Sequence, residues 1–169
     1  LFLPAIVYQN TAGYISSRIG IKVPAVSFDA DFDFVKHFQS LKKKANCFLI
    51  DEAQFLKADQ VRQLCHIADV FNVPVLAYGL RSEPFEGSQY LLILADTLIE
   101  IKTICFCGKK ATMNLRVDSR GRVLREGDQV EIGGNERYLA ACRRHFFELD
   151  IMPDVNVVPS NHLDPVLAD

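Results

Sequence analysis

The stretch that most restricts the fold is Cys47-Phe48-Leu49-Ile50, an apolar run too short and too evenly apolar for a helix. It reads as a strand buried on both faces. Residues 57–71 follow with Val61, Leu64, Cys65, Ala68 and Phe71 at helical spacing, which predicts an amphipathic helix. A second apolar run, Val73 to Tyr78, comes next and is stopped by Gly79. Strand, helix, strand in this order is a right-handed βαβ unit. It commits the chain to the α/β class with a parallel sheet.

Two adjacent carboxylates, Asp51 and Glu52, stand where the first of these strands ends. In an open parallel sheet the carboxyl edge is where ligands bind. An apolar strand running into Asp-Glu is the Walker B pattern of phosphate-handling α/β proteins. There one carboxylate holds a magnesium ion through water and the next accepts a proton from an attacking hydroxyl. A strand end with two solvated acids gives the same letters, so the rest of the chain has to decide.

The other segments fit this frame. Leu1 to Tyr8 reads as a strand, Gln9 to Gly13 as a polar loop, and Ala25 to Phe28 as a short strand. Asp29 to Asp33 supplies N-cap chemistry for a helix over residues 34–44, with Phe34, Val35, Phe38 and Leu41 on one face. A loop over 80–87, an apolar helix over 88–95 and a strand over 98–104 complete an α/β part. From Cys105 onward glycine and charge rise. Leu115 to Leu124 predicts a hairpin with its turn at Ser119 to Gly121, and Gln129 to Gly134 a further strand. The tail from Ile151 has three prolines and no periodicity, and is expected to be extended.

Composition narrows the function. The 169 residues are 49% hydrophobic and 24% charged, enough to bury a core, and the net charge of −2 leaves no basic footprint for nucleic acid. Lys42-Lys43-Lys44 reads as a solvated helix end. No apolar run approaches the ~18 residues that cross a bilayer. No positively charged segment precedes Leu1-Phe2-Leu3, as a signal peptide would require, so a cytoplasmic protein without membrane partners is expected. The chain opens on Leu inside an apolar segment, which suggests residues upstream of it.

Five cysteines, an odd number, argue against a disulfide framework. Cys47 and Cys65 fall on apolar runs and are read as core residues. Cys105-Phe106-Cys107-Gly108 and Cys142-Arg143-Arg144-His145 are instead two close pairs flanking a hairpin-rich insert. Three thiolates and one imidazole suit a tetrahedral zinc ion, although Cys-x-Cys has a tighter bite than Cys-x-x-Cys. His37, His66 and His162 have no such pattern.

Taken together, Ile50-Asp51-Glu52-Ala53-Gln54-Phe55, Gly79-Leu80-Arg81, Gly87-Ser88-Gln89-Tyr90, residues 102–108, residues 132–138 and Cys142 to His145 resemble the type II thymidine kinase family, bacterial branch. The resemblance runs in order from about Ser16 to Phe146. It implies a P-loop-type parallel sheet over 1–104, a small zinc-containing lasso domain over 105–150 and a tail over 151–169. The implied reaction is transfer of the ATP γ-phosphoryl to the 5′-hydroxyl of thymidine. Glu52 would be the general base, with Asp51, Ala53 and Gln54 beside it on the magnesium and nucleotide side. Phe55, Leu80 and Phe85 would wall the base, Tyr138 would close over sugar or base, and Gln129, Ile132 and Gly133 would add contacts from the lasso. Cys105, Cys107, Cys142 and His145 would hold structural zinc. Family members are commonly homotetramers inhibited by thymidine triphosphate.

Three departures accompany the resemblance. No G-x-x-x-x-G-K-[ST] run occurs in the chain; it would precede the first strand, in about 20 to 40 further residues by analogy with P-loop folds. Its strand would neighbour the Asp51 strand, and without it that strand is expected to leave a bare edge. The family's Asp-x-Arg is replaced where Pro4-Ala5-Ile6 continues as Val7-Tyr8-Gln9, leaving Arg18 as the nearest cation. The loop after Leu80 looks a few residues short before Pro84-Phe85. A non-catalytic zinc-containing nucleotide-binding or regulatory module lacking a P-loop is therefore the alternative reading. A zinc-ribbon nucleic-acid binder is disfavoured by the acidic charge.

Overall fold

A computed structural model describes residues 1–8, 12–16, 20–118, 122–124 and 138–151, with side chains through 148. The chain divides into two compact units, Leu1–Ile99 and Glu100–Asp169.

The first unit is built on a parallel sheet. Its strands are β1 (Phe2–Pro4), β4 (Val26–Phe28), β5 (Phe48–Ile50) and β6 (Val75–Ala77), in spatial order β4-β1-β5-β6. Phe48, Leu49 and Ile50 register with Val75, Leu76 and Ala77, the pairing expected of the βαβ unit. Helix α3 (Ala58–Phe71) is the crossover. It turns Val61, Leu64 and Ile67 into the core and ends at Asn72 in the left-handed region (φ 52°), a residue type that tolerates it. Its first turn is capped once from within and once from outside the helix. Gln60 Oε1 accepts the Lys57 N–H, and Glu86 Oε1 accepts the Ala58 N–H. Helix α2 (Phe34–Ser40) starts at Asp33, whose side chain accepts the Lys36 N–H as the N-cap expectation required.

Several expectations are corrected. The first strand ends at Pro4 and the chain turns into the short helix α1 (Ala5–Tyr8), because proline has no N–H to carry the ladder on. Strand β5 has no bare edge: β1 pairs it on one side and β6 on the other, so β4 and β6 are the sheet's margins. Helix α2 stops at Ser40, whose hydroxyl donates to the His37 carbonyl, and the lysine run lies beyond it. Cys47 is exposed, because the strand begins only at Phe48; Cys65 is half-buried. Helix α4 (Glu86–Leu94) begins two residues earlier than its apolar pattern, with Glu86 in the turn where an acid is favourable. Residues 98–102 form no strand. Ile99 and Ile101 are 84% and 72% exposed, with no ladder partner among the described residues.

Antiparallel β2 (Tyr14–Ser16) and β3 (Lys22–Pro24) make a separate hairpin in this unit. Arg18 lies outside the described residues.

The second unit holds two antiparallel pairs. β7 (Thr103–Ile104) pairs with β8 (Lys110–Ala111), and β9 (Met113–Arg116) with β10 (Tyr138–Ala141). The expected hairpin has its arms in place, since Val117 bridges Val123 and the Asp118 N–H donates to the Arg122 carbonyl. Its turn, the expected strand over 129–134 and the tail beyond 151 lie outside the described residues. Helix α5 (Arg143–Ile151) has no counterpart in the sequence reading.

Candidate functional sites

Both groups of candidate residues assemble, one in each unit. In the first, β5 delivers Asp51 and Glu52 to the carboxyl edge of the sheet, both half-buried. The chain then reverses sharply. Glu52 takes φ 52° and ψ 42°, a left-handed conformation that a β-carbon resists, and residues Ala53–Phe55 form a single 3₁₀ turn. Neighbouring groups hold this geometry. Asp51 Oδ1 accepts the Glu52 N–H at 3.0 Å, the Ala53 N–H donates to the Tyr78 carbonyl at 2.8 Å, and the Phe55 N–H donates to the Glu52 carbonyl at 3.1 Å. Strained backbone that its surroundings enforce is a feature of active sites.

The turn is packed too tightly for larger neighbours. A β-carbon on Gly87 would lie 2.5 Å from the Ala53 carbonyl oxygen, and one on Gly79 would lie 2.9 Å from Gln54 Oε1. Gln54 is buried, donates from Nε2 to Glu52 Oε2 at 2.6 Å and accepts the Leu80 N–H at Oε1 at 3.2 Å. The Leu80 carbonyl in turn accepts from the buried Ser88 hydroxyl. Phe55 and Phe85 meet edge-to-face with centroids 5.4 Å apart, so two of the three expected base-walling residues adjoin. The third, Leu80, is exposed and is tied to the same turn through its backbone. A shallow cavity of about 230 Å³ opens nearby, lined by residues 4–6, residues 28–30 and Phe55.

In the second unit, Cys105 follows β7, Cys142 follows β10, and His145 lies in the first turn of α5. One ligand atom from each of Cys105, Cys107, Cys142 and His145 lies within 4.8 Å of all the others. Cys105 Sγ is 3.4 Å from His145 Nδ1, and Cys107 Sγ is 4.0 Å from Cys142 Sγ. Tetrahedral zinc bonds to sulfur and nitrogen imply ligand separations of about 3.5–3.8 Å, so the four atoms lie within about 1 Å of the arrangement such an ion takes. Gly108 at φ 80° closes the tight Cys-x-Cys turn in the left-handed region. Burial pushes the Cys105 thiol up, but hydrogen bonds from the Cys107 backbone, His145 and Cys142 outweigh it and bring it down to about 6. The Lys109 backbone N–H draws the Cys107 thiol down, yet burial and the adjoining Cys105 and Cys142 thiols leave it raised.

Of the remaining candidates, Tyr138 is half-buried in β10, opposite Arg116. Gln129, Ile132 and Gly133 lie outside the described residues. Sequence reasoning assigned no role to Ser88 or to Phe106, whose ring stacks on His145 with centroids 4.5 Å apart. Ser88 sits beside Gly87 at the start of an apolar helix, a small-residue pair where backbone comes close, and it lies in one of the stretches that carry the family resemblance.

A family model described as Thymidine kinase matches residues 6–146, a span that takes in both clusters. A thymidine kinase of Zymomonas mobilis is 52% identical over 155 residues, which is 88% of this chain and 80% of that protein. A thymidine kinase of Coxiella burnetii is 49% identical over 153 residues, 86% of this chain and 78% of its own length. One from Streptococcus gordonii is 48% identical over 152 residues, 87% and 79% of the two chains. With the acid pair at the sheet edge and the Cys/His cluster both inside the matched span, the chain belongs to the thymidine kinase family.

Proposed function

We propose that the protein is a thymidine kinase that transfers the γ-phosphoryl of ATP to the 5′-hydroxyl of thymidine, giving thymidine monophosphate and ADP. The observation that carries this is Glu52 on its enforced turn at the carboxyl end of β5, within the span that matches the family. As the hydroxyl oxygen attacks the γ-phosphorus, Glu52 takes its proton, and the bond from that phosphorus to the bridging oxygen breaks. Asp51 would hold magnesium through water, and Ala53 and Gln54, in the turn that follows, would face the nucleotide. Magnesium supplies charge neutralisation at the phosphates.

Phe55, Leu80 and Phe85 are proposed to bound the base, which their proximity around one turn supports. Tyr138, Gln129, Ile132 and Gly133 are proposed to contribute from a lasso held by zinc on Cys105, Cys107, Cys142 and His145. The P-loop-type character of the sheet and the division into 1–104, 105–150 and 151–169 belong to the same proposal. So do a cytoplasmic homotetramer and inhibition by thymidine triphosphate, all resting on the resemblance. No helix among the described residues is long and apolar enough to cross a membrane. The non-catalytic module is not favoured, since relatives named as kinases match at about half identity over most of the chain.

The test is thymidine-dependent ADP release by the full-length protein and its Glu52→Gln variant. The amide keeps the shape but cannot accept the proton, so turnover should fall on the order of 10²–10⁴-fold while thymidine still binds. Turnover within threefold of the wild type would remove Glu52 from the role of base. A wild-type protein that binds nucleotide without phosphorylating thymidine would return the non-catalytic module.

A further inference from the structure

Glutamine at position 54 has both ends of its amide engaged, and the chemistry of the partners decides which end is which. A carboxylate can only accept, so Nε2 must face Glu52 Oε2; a backbone N–H can only donate, so Oε1 must face Leu80. Burial and these two fixed partners leave the side chain one orientation. Its space is reserved as well, because a β-carbon on Gly79 would come within 2.9 Å of Oε1. At its far end the Leu80 backbone is held on both sides of its α-carbon, its N–H by Gln54 and its carbonyl by the Ser88 hydroxyl. A linkage of hydrogen bonds, bridged by the Leu80 backbone, therefore runs from the Glu52 carboxylate through Gln54 to the start of α4.

We infer that Gln54 is a positioning residue, a rigid strut that fixes the Glu52 carboxylate through Oε2 and leaves its other oxygen for the substrate proton. This rests on the reading of Glu52 as general base. A glutamate side chain has three rotatable bonds, and the left-handed Glu52 backbone sets only where they begin. Without a partner the carboxylate would sample orientations in which neither oxygen meets the hydroxyl, and a misplacement of about 1 Å can cost on the order of 10²-fold in rate. The same strut ties the base to Leu80, one of the residues proposed to bound the nucleobase. Catalytic and binding groups are thereby held in one register.

Two variants separate the ends of the strut. Gln54→Glu keeps an acceptor for the Leu80 N–H but sets an acceptor against Glu52 where a donor stood. Its kcat should fall about 10- to 100-fold with thymidine KM within threefold. Gln54→Met removes both bonds at similar length, so kcat should fall and KM should also rise. If Gln54 acts through Glu52, adding Gln54→Met to Glu52→Gln should leave kcat within about twofold of Glu52→Gln alone, because residues acting as a unit are non-additive. Circular dichroism and melting of each variant check folding, and if Gln54→Glu does not fold the decision rests on Gln54→Met alone and in the double variant. A kcat within threefold of wild type in either folded single variant would overturn the inference. So would losses that multiply in the double variant, the mark of a structural role independent of the base. An inactive wild type would instead defeat the kinase reading itself, so the two failures are distinguishable.

Discussion

In the first unit Phe2, Phe28, Phe34 and Phe48 pack with Ile50, Leu56, Val61, Leu64 and Ile67 around one parallel sheet. In the second, the described buried apolar residues are few: Leu115 and Ala141 in one cluster, Ala111 with Cys105 and Cys142 in another, and Val117. Ordering a residue costs roughly 1–2 kcal/mol of backbone entropy, and apolar burial has to offset it. Aromatic rings do so amply in the first unit. Phe2 stacks on Phe48 at 4.8 Å and meets Phe34 edge-on at 5.2 Å. In the second unit the side chains that converge most closely are metal-binding types. The contrast teaches that the Glu52 turn sits on a core closed by aromatic packing, whereas the described residues of the second unit converge on a Cys/His cluster that could hold an ion.

The strongest way to break this contrast is to remove one ligand. Cys142→Ser should release zinc and loosen the second unit, because structural zinc binding is folding free energy on the order of 10 kcal/mol. The α/β core, whose contacts lie elsewhere, should keep its own unfolding transition. Elemental analysis and calorimetry read both quantities. Well under half an equivalent of zinc in the unmutated protein, with none lost on mutation, would show that the cluster is not a zinc site.

The reverse experiment attacks the aromatic core. Phe34 is fully buried, touches Phe2, Phe28 and Phe32, and its N–H donates to Gln63 Oε1. Phe34→Ala should cost about 3–5 kcal/mol, the range for deleting a buried ring. Denaturant unfolding followed in the first unit measures it, and zinc content should stay unchanged. Loss of zinc in this variant would mean that the second unit depends on the first for its fold.

The same contrast explains what could be read from the sequence. Residues 48–77 were legible because apolar periodicity switches cleanly from strand to helix to strand, and each element is satisfied by its neighbour in the sequence. Residues 98–102 misled because apolar residues mark surface that needs covering, and a strand also needs a ladder partner, which sequence does not supply. Cys47 misled because a one-residue shift at a strand's start moves a side chain from inside to outside. At the site, Asp51, Glu52 and the four ligand types were visible as chemistry at recognisable spacing. The Glu52 conformation, the Gln54–Leu80 bond and the Ser88 contact were not, because they join residues up to 26 positions apart through a backbone fold no periodicity encodes.

The smallest expected effect is also confined to the first unit, and it concerns pH. The His37 ring packs edge-on against Phe2 and tilted against Phe32, with both centroids 5.4 Å away. Burial lowers its pKa below the usual 6.5. A neutral ring is thus favoured in the folded state. The unfolded chain binds this proton first as pH falls, so the stabilisation is complete above about 6.5 and declines below it. Asp33 and Glu86 are shifted down as well, chiefly by the backbone N–H groups of Lys36 and Ala58, but carboxylates give up their stabilisation only below about pH 4.5. The windows do not overlap, so a modest loss between pH 7.5 and 5.5 belongs to His37 among these three. Urea midpoints followed in the first unit should therefore be compared between wild type and His37→Gln. The variant should show the flatter profile from pH 7.5 to 5.5, and identical profiles would mean that His37 takes up no proton on unfolding.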